Sequence, residues 1–308
     1  MFKKIILVFI TSVLTLQAQS PFDFLDFEQS ARDAALAGSG IGIDNDMGMA
    51  SLNPALFQTV TEKPLSLTFL KNISDINSGY VAYKIGDFDF GRISTSAIYN
   101  SYGSFDYIDA EGNSSGGSFG ASNVALAGHL SGVLDSNFYY GVSLKFIYSG
   151  IEKYSTTAMG VDAGLFYKYN EQSNFGFSIR NAGMQLSKFN GESNSLPLDV
   201  RLGANHKLKG LPVLVNFSFH HLANEKQSIL ERFSNISVGG EISFGKYVKA
   251  RVGYNTYMRR QIASDFNSGL AGLSGGVGIV LDNLNFDYGF TSYSSGANQH
   301  RFTLNLNI

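Results

Sequence analysis

The sequence predicts an all-β chain: one antiparallel transmembrane β-barrel of about 14 strands with an N-terminal plug segment. Three observations lead there. Past residue 64, apolar and polar residues alternate with a period of two. The connections between the alternating runs sort by length onto two sides of the chain's path. The charges within the runs fall on one face.

Composition sets the frame. Charged residues make up 16% of the 308 residues, against roughly 25% in soluble domains. There are 25 Phe, 16 Tyr, 34 Gly and 5 Pro, with no Trp. Aromatic, Gly-rich, Pro-poor chains favour strands joined by tight turns. The formal charge of −2 gives no support to a nucleic-acid partner. The absence of cysteine excludes disulfide frameworks, thiolate metal sites and a cysteine nucleophile.

The first segment, 1–18, is expected to be a signal peptide. Lys3 and Lys4 precede an apolar stretch from Ile5 to Leu16, and Leu16-Gln17-Ala18 offers a small residue before a cut. The stretch is short for a membrane span, so a retained anchor is the weaker reading. A mature chain starting at Gln19 loses two lysines, and its formal charge moves from −2 to −4.

Residues 19–64 alternate poorly and are read as a plug. Ser30 is a candidate helix cap for Ala31 to Ala37, and Gly38 ends the helix. Then come Gly38-Ser39-Gly40-Ile41-Gly42, Asp44-Asn45-Asp46 and Asn53-Pro54-Ala55. Gly38, Gly40, Asn53, Pro54 and Ala55 are the candidate structural positions. The glycine spacing is wrong for a dinucleotide fingerprint, and no strand–helix context surrounds it. Asp44 and Asp46 mimic the start of a calcium loop, but Gly48 and Ala55 stand where ligands are needed.

Residues 65–308 form the predicted barrel. Its strands lie near 65–73, 78–86, 90–101, 119–130, 137–149, 157–169, 173–182, 197–208, 212–222, 234–244, 247–257, 271–281, 284–292 and 299–308. Most approach the roughly 9–11 residues that cross a bilayer on a tilt. The long connections are 102–118, 183–196, 223–233 and 258–270; short ones such as 131–136, 170–172, 209–211, 245–246 and 282–283 lie between them. With a periplasmic N-terminus the long ones all fall outside, as in outer-membrane barrels.

In the run 139–148, Tyr140, Val142, Leu144, Phe146 and Tyr148 oppose Gly141, Ser143 and Lys145. Extending each register puts Arg92, Lys145, Asp162, Lys168, Arg180, Asp199, Arg201, Glu241, Lys249, Arg251 and Asp287 on the polar face. A basic residue facing lipid at mid-depth costs about 2–4 kcal/mol, so this face must line a lumen. Mixed signs predict a charge-paired, filled interior, with Asp199 or Arg201 meeting Glu241 or Arg251. A soluble sandwich or propeller is the alternative fold.

No catalytic motif stands out. The histidines, His129, His206, His220, His221 and His300, form no zinc motif, and no G-x-S-x-G elbow occurs. His129 and His220 fall on the lumen face, which leaves a lipid-deacylating Ser–His barrel as a minor reading. No enzyme activity, cofactor or metal is expected.

Phe22-Asp23-Phe24-Leu25, Ser30 to Gly38, Asn53-Pro54-Ala55-Leu56, Tyr102-Gly103-Ser104-Phe105, Asp109 to Asn113, Gly141 to Ser149, Arg180 to Leu186 and Leu196 to Val200 together resemble the PorQ/PorV family of type IX secretion barrels. That family is itself similar to the FadL-like barrels, which carry 14 strands, an N-terminal plug and an Asn-Pro-Ala near its end. The resemblance implies an outer-membrane component that anchors surface partners for cargo processing and attachment. Implied partners are a PorZ-like surface protein, PorV/PorU-type secretion components, outer-membrane lipid and lipopolysaccharide. It carries over no catalytic residue. Tyr102 to Ser118 and Arg259-Arg260 are the candidate contact surfaces. The alternative is a FadL-like transporter of hydrophobic solutes, which requires an apolar pocket under the plug; the charged lumen face weighs against it.

Overall fold

The computed structural model describes residues 20–307 except 72–75, 110–111, 113, 225–226, 263–268 and 295–296. The predicted signal peptide lies outside the described residues, as do Ala110, Glu111, Asn113 and Ile308.

Fourteen strands form a closed antiparallel barrel: β1 Leu65–Lys71, β2 Asn77–Phe88, β3 Gly91–Ile108, β4 Ser114–Asp135, β5 Phe138–Ile151, β6 Tyr154–Lys168, β7 Ser173–Gln185, β8 Asp199–Lys207, β9 Val213–Phe219, β10 Ile236–Phe244, β11 Val248–Asn255, β12 Leu273–Val280, β13 Leu284–Ser294 and β14 Ala297–Leu306. Each strand pairs with its sequence neighbour, and β1 closes on β14 from Leu65↔Leu306 to Lys71↔His300. Among the described residues no helix is long and apolar enough to cross a membrane.

The predicted alternation is the barrel's inside and outside. On β5, Val142, Leu144, Phe146 and Tyr148 are exposed, while Ser143, Lys145, Ile147 and Ser149 are buried. On β14, Phe302 and Leu304 face out, while Arg301, Thr303 and Asn305 face in. Apolar outside and polar inside is the polarity of a barrel whose solvent is lipid.

One mouth has only tight connections, at 89–90, 136–137, 169–172, 208–212, 245–247 and 281–283. The other carries the long connections 186–198, 220–235 and 256–272. Two details depart from the sequence reading. The stretch 102–118 is not a free loop: β3 runs for 18 residues and β4 for 22, and their pairing continues to Ile108↔Ser114. Ser, Gly and Asp there hide the strand pattern, because a hairpin that stands clear of the barrel has no core-facing side to keep apolar. The β5–β6 connection at 152–153 is a tight turn at the long-loop mouth, with Glu152 at φ 53°.

Residues 20–64 fold inside the barrel as short turns: 3-10 turns Asp23–Asp26, Gly40–Gly42, Met49–Ser51 and Pro54–Thr59, and helix α1 Ala31–Ala35. The expected cap holds, since the Ser30 side chain accepts from the Asp33 N–H at 3.1 Å. The helix stops at Ala35, two residues short of the expected Ala37. Ala37 already adopts a left-handed φ of 56°, followed by Gly38 at 77°, whose N–H donates to the Asp33 carbonyl at 3.0 Å. The segment also enters from an unexpected side. Ser20 lies at the long-loop mouth, where its hydroxyl donates to the Ser195 carbonyl at 3.2 Å, and the segment crosses to the short-turn mouth, where Asp44 to Asp46 and Glu62-Lys63 lie and β1 begins.

The outward assignment is directly testable. Leu144→Arg, near the middle of β5, is expected to destabilise the barrel by about 2–4 kcal/mol in denaturant-dependent folding into phospholipid vesicles. Unchanged stability would contradict a lipid-facing wall.

Candidate functional site

The lumen is the candidate site, and glycines in the wall determine how it is filled. Gly141 and Gly164 face each other across β5 and β6. An added methyl on either would collide with Pro54, and on Gly164 also with Asn53. The same device recurs. Gly176↔Gly203 across β7 and β8 receives Ile41, Gly239↔Gly253 across β10 and β11 receives Leu36 and Ala37, and Gly276↔Gly289 across β12 and β13 receives Ala35 and Ala31. Paired glycines leave flat backbone where a close approach is needed. The inner segment therefore lies directly on the barrel's backbone at four places.

Asn53, Pro54 and Ala55 form one of these seats. The Asn53 side-chain oxygen accepts from the Ala55 N–H at 3.1 Å and caps the turn, while its amide donates to the Leu165 carbonyl of β6 at 2.9 Å. One side chain thus shapes the turn and ties it to the wall. Gly40 packs under Met49, with room for no side chain, and Gly38 supplies the positive φ after α1.

The charges sit inside, in separate groups. Arg92 donates to Asp87 at 2.5 Å and to the carbonyls of Phe57, Gln58 and Val60 at 2.9, 3.1 and 2.5 Å. Lys145 pairs with Asp162 at 2.6 Å. Asp199 is flanked by Arg201 and by Arg180, the latter at 3.8 Å. Glu241 pairs with Arg251 at 2.7 Å and Lys249 at 3.1 Å, and Arg251 continues to Asp287 at 2.5 Å. Lys168 is more exposed and meets Asp44 at 3.4 Å.

The expected pairing between the Asp199/Arg201 and Glu241/Arg251 sets does not occur. Strand register gives each charge a nearer partner: Arg180 lies directly opposite Asp199, and Glu241 directly opposite Arg251.

Two bridging cations were not in the sequence reading. Arg32 of α1 joins Asp46 at 2.8 Å and Glu241 at 2.9 Å, so it ties two parts of the inner segment to the wall. Arg301, fully buried, reaches Glu28 at 3.3 Å. Arg301 shares the polar register of Thr303 and Asn305, and that spacing could have marked it. Nothing local marks Arg32, since its partner is 209 residues away.

Metal and catalytic chemistry find little support in this geometry. Asp46 accepts from Arg32 and from the Gly48 and Met49 N–H groups, and Asp44 faces Lys168, so the calcium-like pair is engaged by cations and backbone. Asp26, Asp199 and His221 present ligand atoms within 4.8 Å of one another. Two guanidinium groups already stand against Asp199, which makes this a balanced ion cluster. His129 lies between Ser143 at 2.6 Å and Ser96 at 2.9 Å, and stacks on Phe57 at 4.2 Å. The gap beside it measures about 30 Å3, too small for an acyl chain. His220 is buried against His221 and Tyr257.

The two mouths differ. The short-turn mouth opens into a vestibule of about 610 Å3, lined by both signs of charge and floored by Arg32, Asp46 and Glu241. Toward the long-loop mouth the inner wall turns apolar at Ala125, Ile147 and Ala158, and Phe22, Phe24 and Leu25 cover this patch. The rim carries the β3–β4 hairpin with exposed Phe105 and Ile108. It also carries helix α2, Ile229–Arg232, and helix α3, Thr256–Ile262. Arg259 and Arg260 belong to α3 and hold the rim together, donating to the Gly269 and Ser234 carbonyls at 3.0 and 2.9 Å.

The glycine seats predict a specific sensitivity. Gly164→Ala is expected to cost about 1–3 kcal/mol through overpacking and to raise ion conductance across planar bilayers as Asn53-Pro54 lifts off the wall. Gly128→Ala, whose methyl would meet nothing within 4 Å, is the matched control. Equal behaviour of the two variants would refute the seating role.

No protein-family model and no curated protein matches the chain. Solved structures do. The toluene transporter TbuX of Ralstonia pickettii aligns with a TM-score of 0.57 at 12% identity, over 91% of this chain and 97% of that one. A FadL homologue of Pseudomonas aeruginosa aligns at 0.54 and 12% identity, over 90% and 97%. The toluene transporter TodX of Pseudomonas putida aligns at 0.53 and 11% identity, over 88% and 95%. At such identities the likeness is one of architecture: this chain has the fold of the FadL-like outer-membrane barrels.

Proposed function

We propose that this chain is an outer-membrane barrel, its lumen plugged by residues 20–64, that works through its long-loop rim as a docking component of type IX protein secretion. The observation that carries this reading is the occupied lumen. The inner segment rests on four glycine seats and is held by buried ion pairs, so the exposed chemistry lies at the rim. The β3–β4 hairpin leaves Phe105 and Ile108 exposed, and an aromatic or aliphatic anchor of this kind can seat in a partner's pocket. The partner class, a PorZ-like surface protein working with PorV/PorU-type components and lipopolysaccharide, comes from the sequence resemblance.

Deleting the chain in its host is expected to leave sorting-domain cargo unanchored and to remove the surface partner from the cell. Phe105→Ala with Ile108→Ala is expected to weaken that partner's binding at least 10-fold, measured on purified proteins. Normal cargo anchoring in the deletion strain would sink the proposal.

The fold likeness supports a second reading and not the first: passage of a small hydrophobic solute, as the names of TbuX and TodX describe for those proteins. Its specific observation is the apolar patch of Ala125, Ile147 and Ala158, which Phe22, Phe24 and Leu25 occupy and would vacate if the turn Asp23–Asp26 shifted. Under this reading the vesicle-reconstituted protein takes up labelled toluene, and Phe22→Ala with Phe24→Ala raises the rate several-fold. No uptake above empty vesicles by either form would eliminate it.

A further inference from the structure

The β9–β10 connection carries an apolar surface that neither reading uses. Helix α2 is capped by a reciprocal pair: Ser228 Oγ accepts from the Glu231 N–H at 3.4 Å, and the Ser228 N–H donates to Glu231 Oε2 at 2.8 Å. These contacts with Ser228 hold the Glu231 carboxylate below its usual range. Arg232 turns back into the same connection and donates to the Gln227 and Leu222 carbonyls at 3.1 and 3.5 Å. The polar side chains of the turn are therefore engaged within the loop.

The apolar ones are not. Successive helical residues are about 100° apart, which places Ile229, Leu230 and the following Phe233 on one side and Glu231 and Arg232 on the other. Ile229 is 68% exposed, Leu230 84% and Phe233 51%. The direction of that side is fixed by the barrel. Phe233 packs edge-on against Phe219 at 5.7 Å, and Phe219 packs against Phe217 at 4.9 Å. Phe217 and Phe219 belong to the outward row of β9, with exposed Leu202 of β8 opposite Phe219 and exposed Val238 of β10 opposite Phe217. Phe217, Phe219 and Phe233 thus form one continuous ladder up the outer wall. The helix leans over the wall and not over the mouth.

We infer that α2 is a membrane-interface foot, with Ile229, Leu230 and Phe233 seated in the outer edge of the lipid layer that covers β8 to β10. The occupant follows from continuity: the apolar side of α2 prolongs a surface whose solvent is lipid. Amphipathic turns bury such a face at the headgroup boundary. The inference rests on the membrane-barrel reading, and the experiment separates the two.

The chain contains no tryptophan, so a single Trp is a sole reporter. Leu230→Trp, Ile229→Trp and Phe217→Trp would each be reconstituted into phosphatidylcholine vesicles, with and without bromine-labelled acyl chains. Bromolipid quenching at Leu230→Trp and Ile229→Trp is expected to reach at least half of that at Phe217→Trp, with blue-shifted emission and little quenching by iodide. Strong iodide quenching and no bromolipid quenching at both α2 positions, with Phe217→Trp quenched by lipid, would overturn the inference alone. So would α2 emission that changes with protein density and not with lipid, which indicates a second copy as the occupant. Loss of lipid quenching at Phe217→Trp as well would overturn both the inference and the membrane barrel.

Discussion

Everything in this structure follows from the closure of β1 on β14. In hydrocarbon an unpaired backbone amide or carbonyl costs several kcal/mol, so a sheet survives there only without an edge. The seven pairs from Leu65↔Leu306 to Lys71↔His300 remove the edges. Closure fixes which residues point outward, and period-two geometry then places every second residue in a lumen wider than side chains alone would fill. The inner charges, the glycine seats and the inner segment are all answers to that enclosed space.

The wall and its filling are fitted to each other through backbone as much as through side chains. A barrel whose inner face bore ordinary side chains at Gly141, Gly164, Gly176 and Gly203 would hold the segment away, and the Asn53 amide could not reach the Leu165 carbonyl. Ion pairs then add direction. Arg32 and Arg301 reach from opposite partners, one on the segment and one on the wall, and each finds a carboxylate on the other body. Removing one member of such a buried pair leaves the other uncompensated, which is costlier than the pair is favourable. The arrangement selects one seating of the segment more than it adds stability.

The sequence made the wall legible because strand geometry is local. Val142 and Ser143 declare opposite faces without reference to any distant residue, and Lys145, Arg180 and Glu241 fix the sign of the register. The position of the cap at Ser30 was legible for the same reason. What escaped depends on distance. The four glycine pairs are visible only when β5 is laid against β6, or β10 against β11. Arg180 and Asp199 are neighbours through register, not through spacing, and alternation along one strand does not say which strands' charges meet. The β3–β4 extension escaped because Gly116, Gly117 and Ser118 read as loop, although a hairpin in water tolerates them. The apolar patch at Ile147 was hidden by its position on a strand otherwise lined with Ser143, Lys145 and Ser149.

The glycine seats bear on the order of assembly. A helix near the start of the described chain rests on its last strands, since α1 packs against β12, β13 and β14 and the Ala31 N–H donates to Thr303 on β14 at 2.8 Å. Contacts so far apart in sequence form late, because the loop they close is nearly the whole chain. The full seating of α1 therefore requires that β12, β13 and β14 have all joined the wall. Docking of α1 is in this sense a proof of completion: a barrel missing β14 has neither a closed edge nor the Thr303 and Arg301 that Ala31 and Glu28 meet.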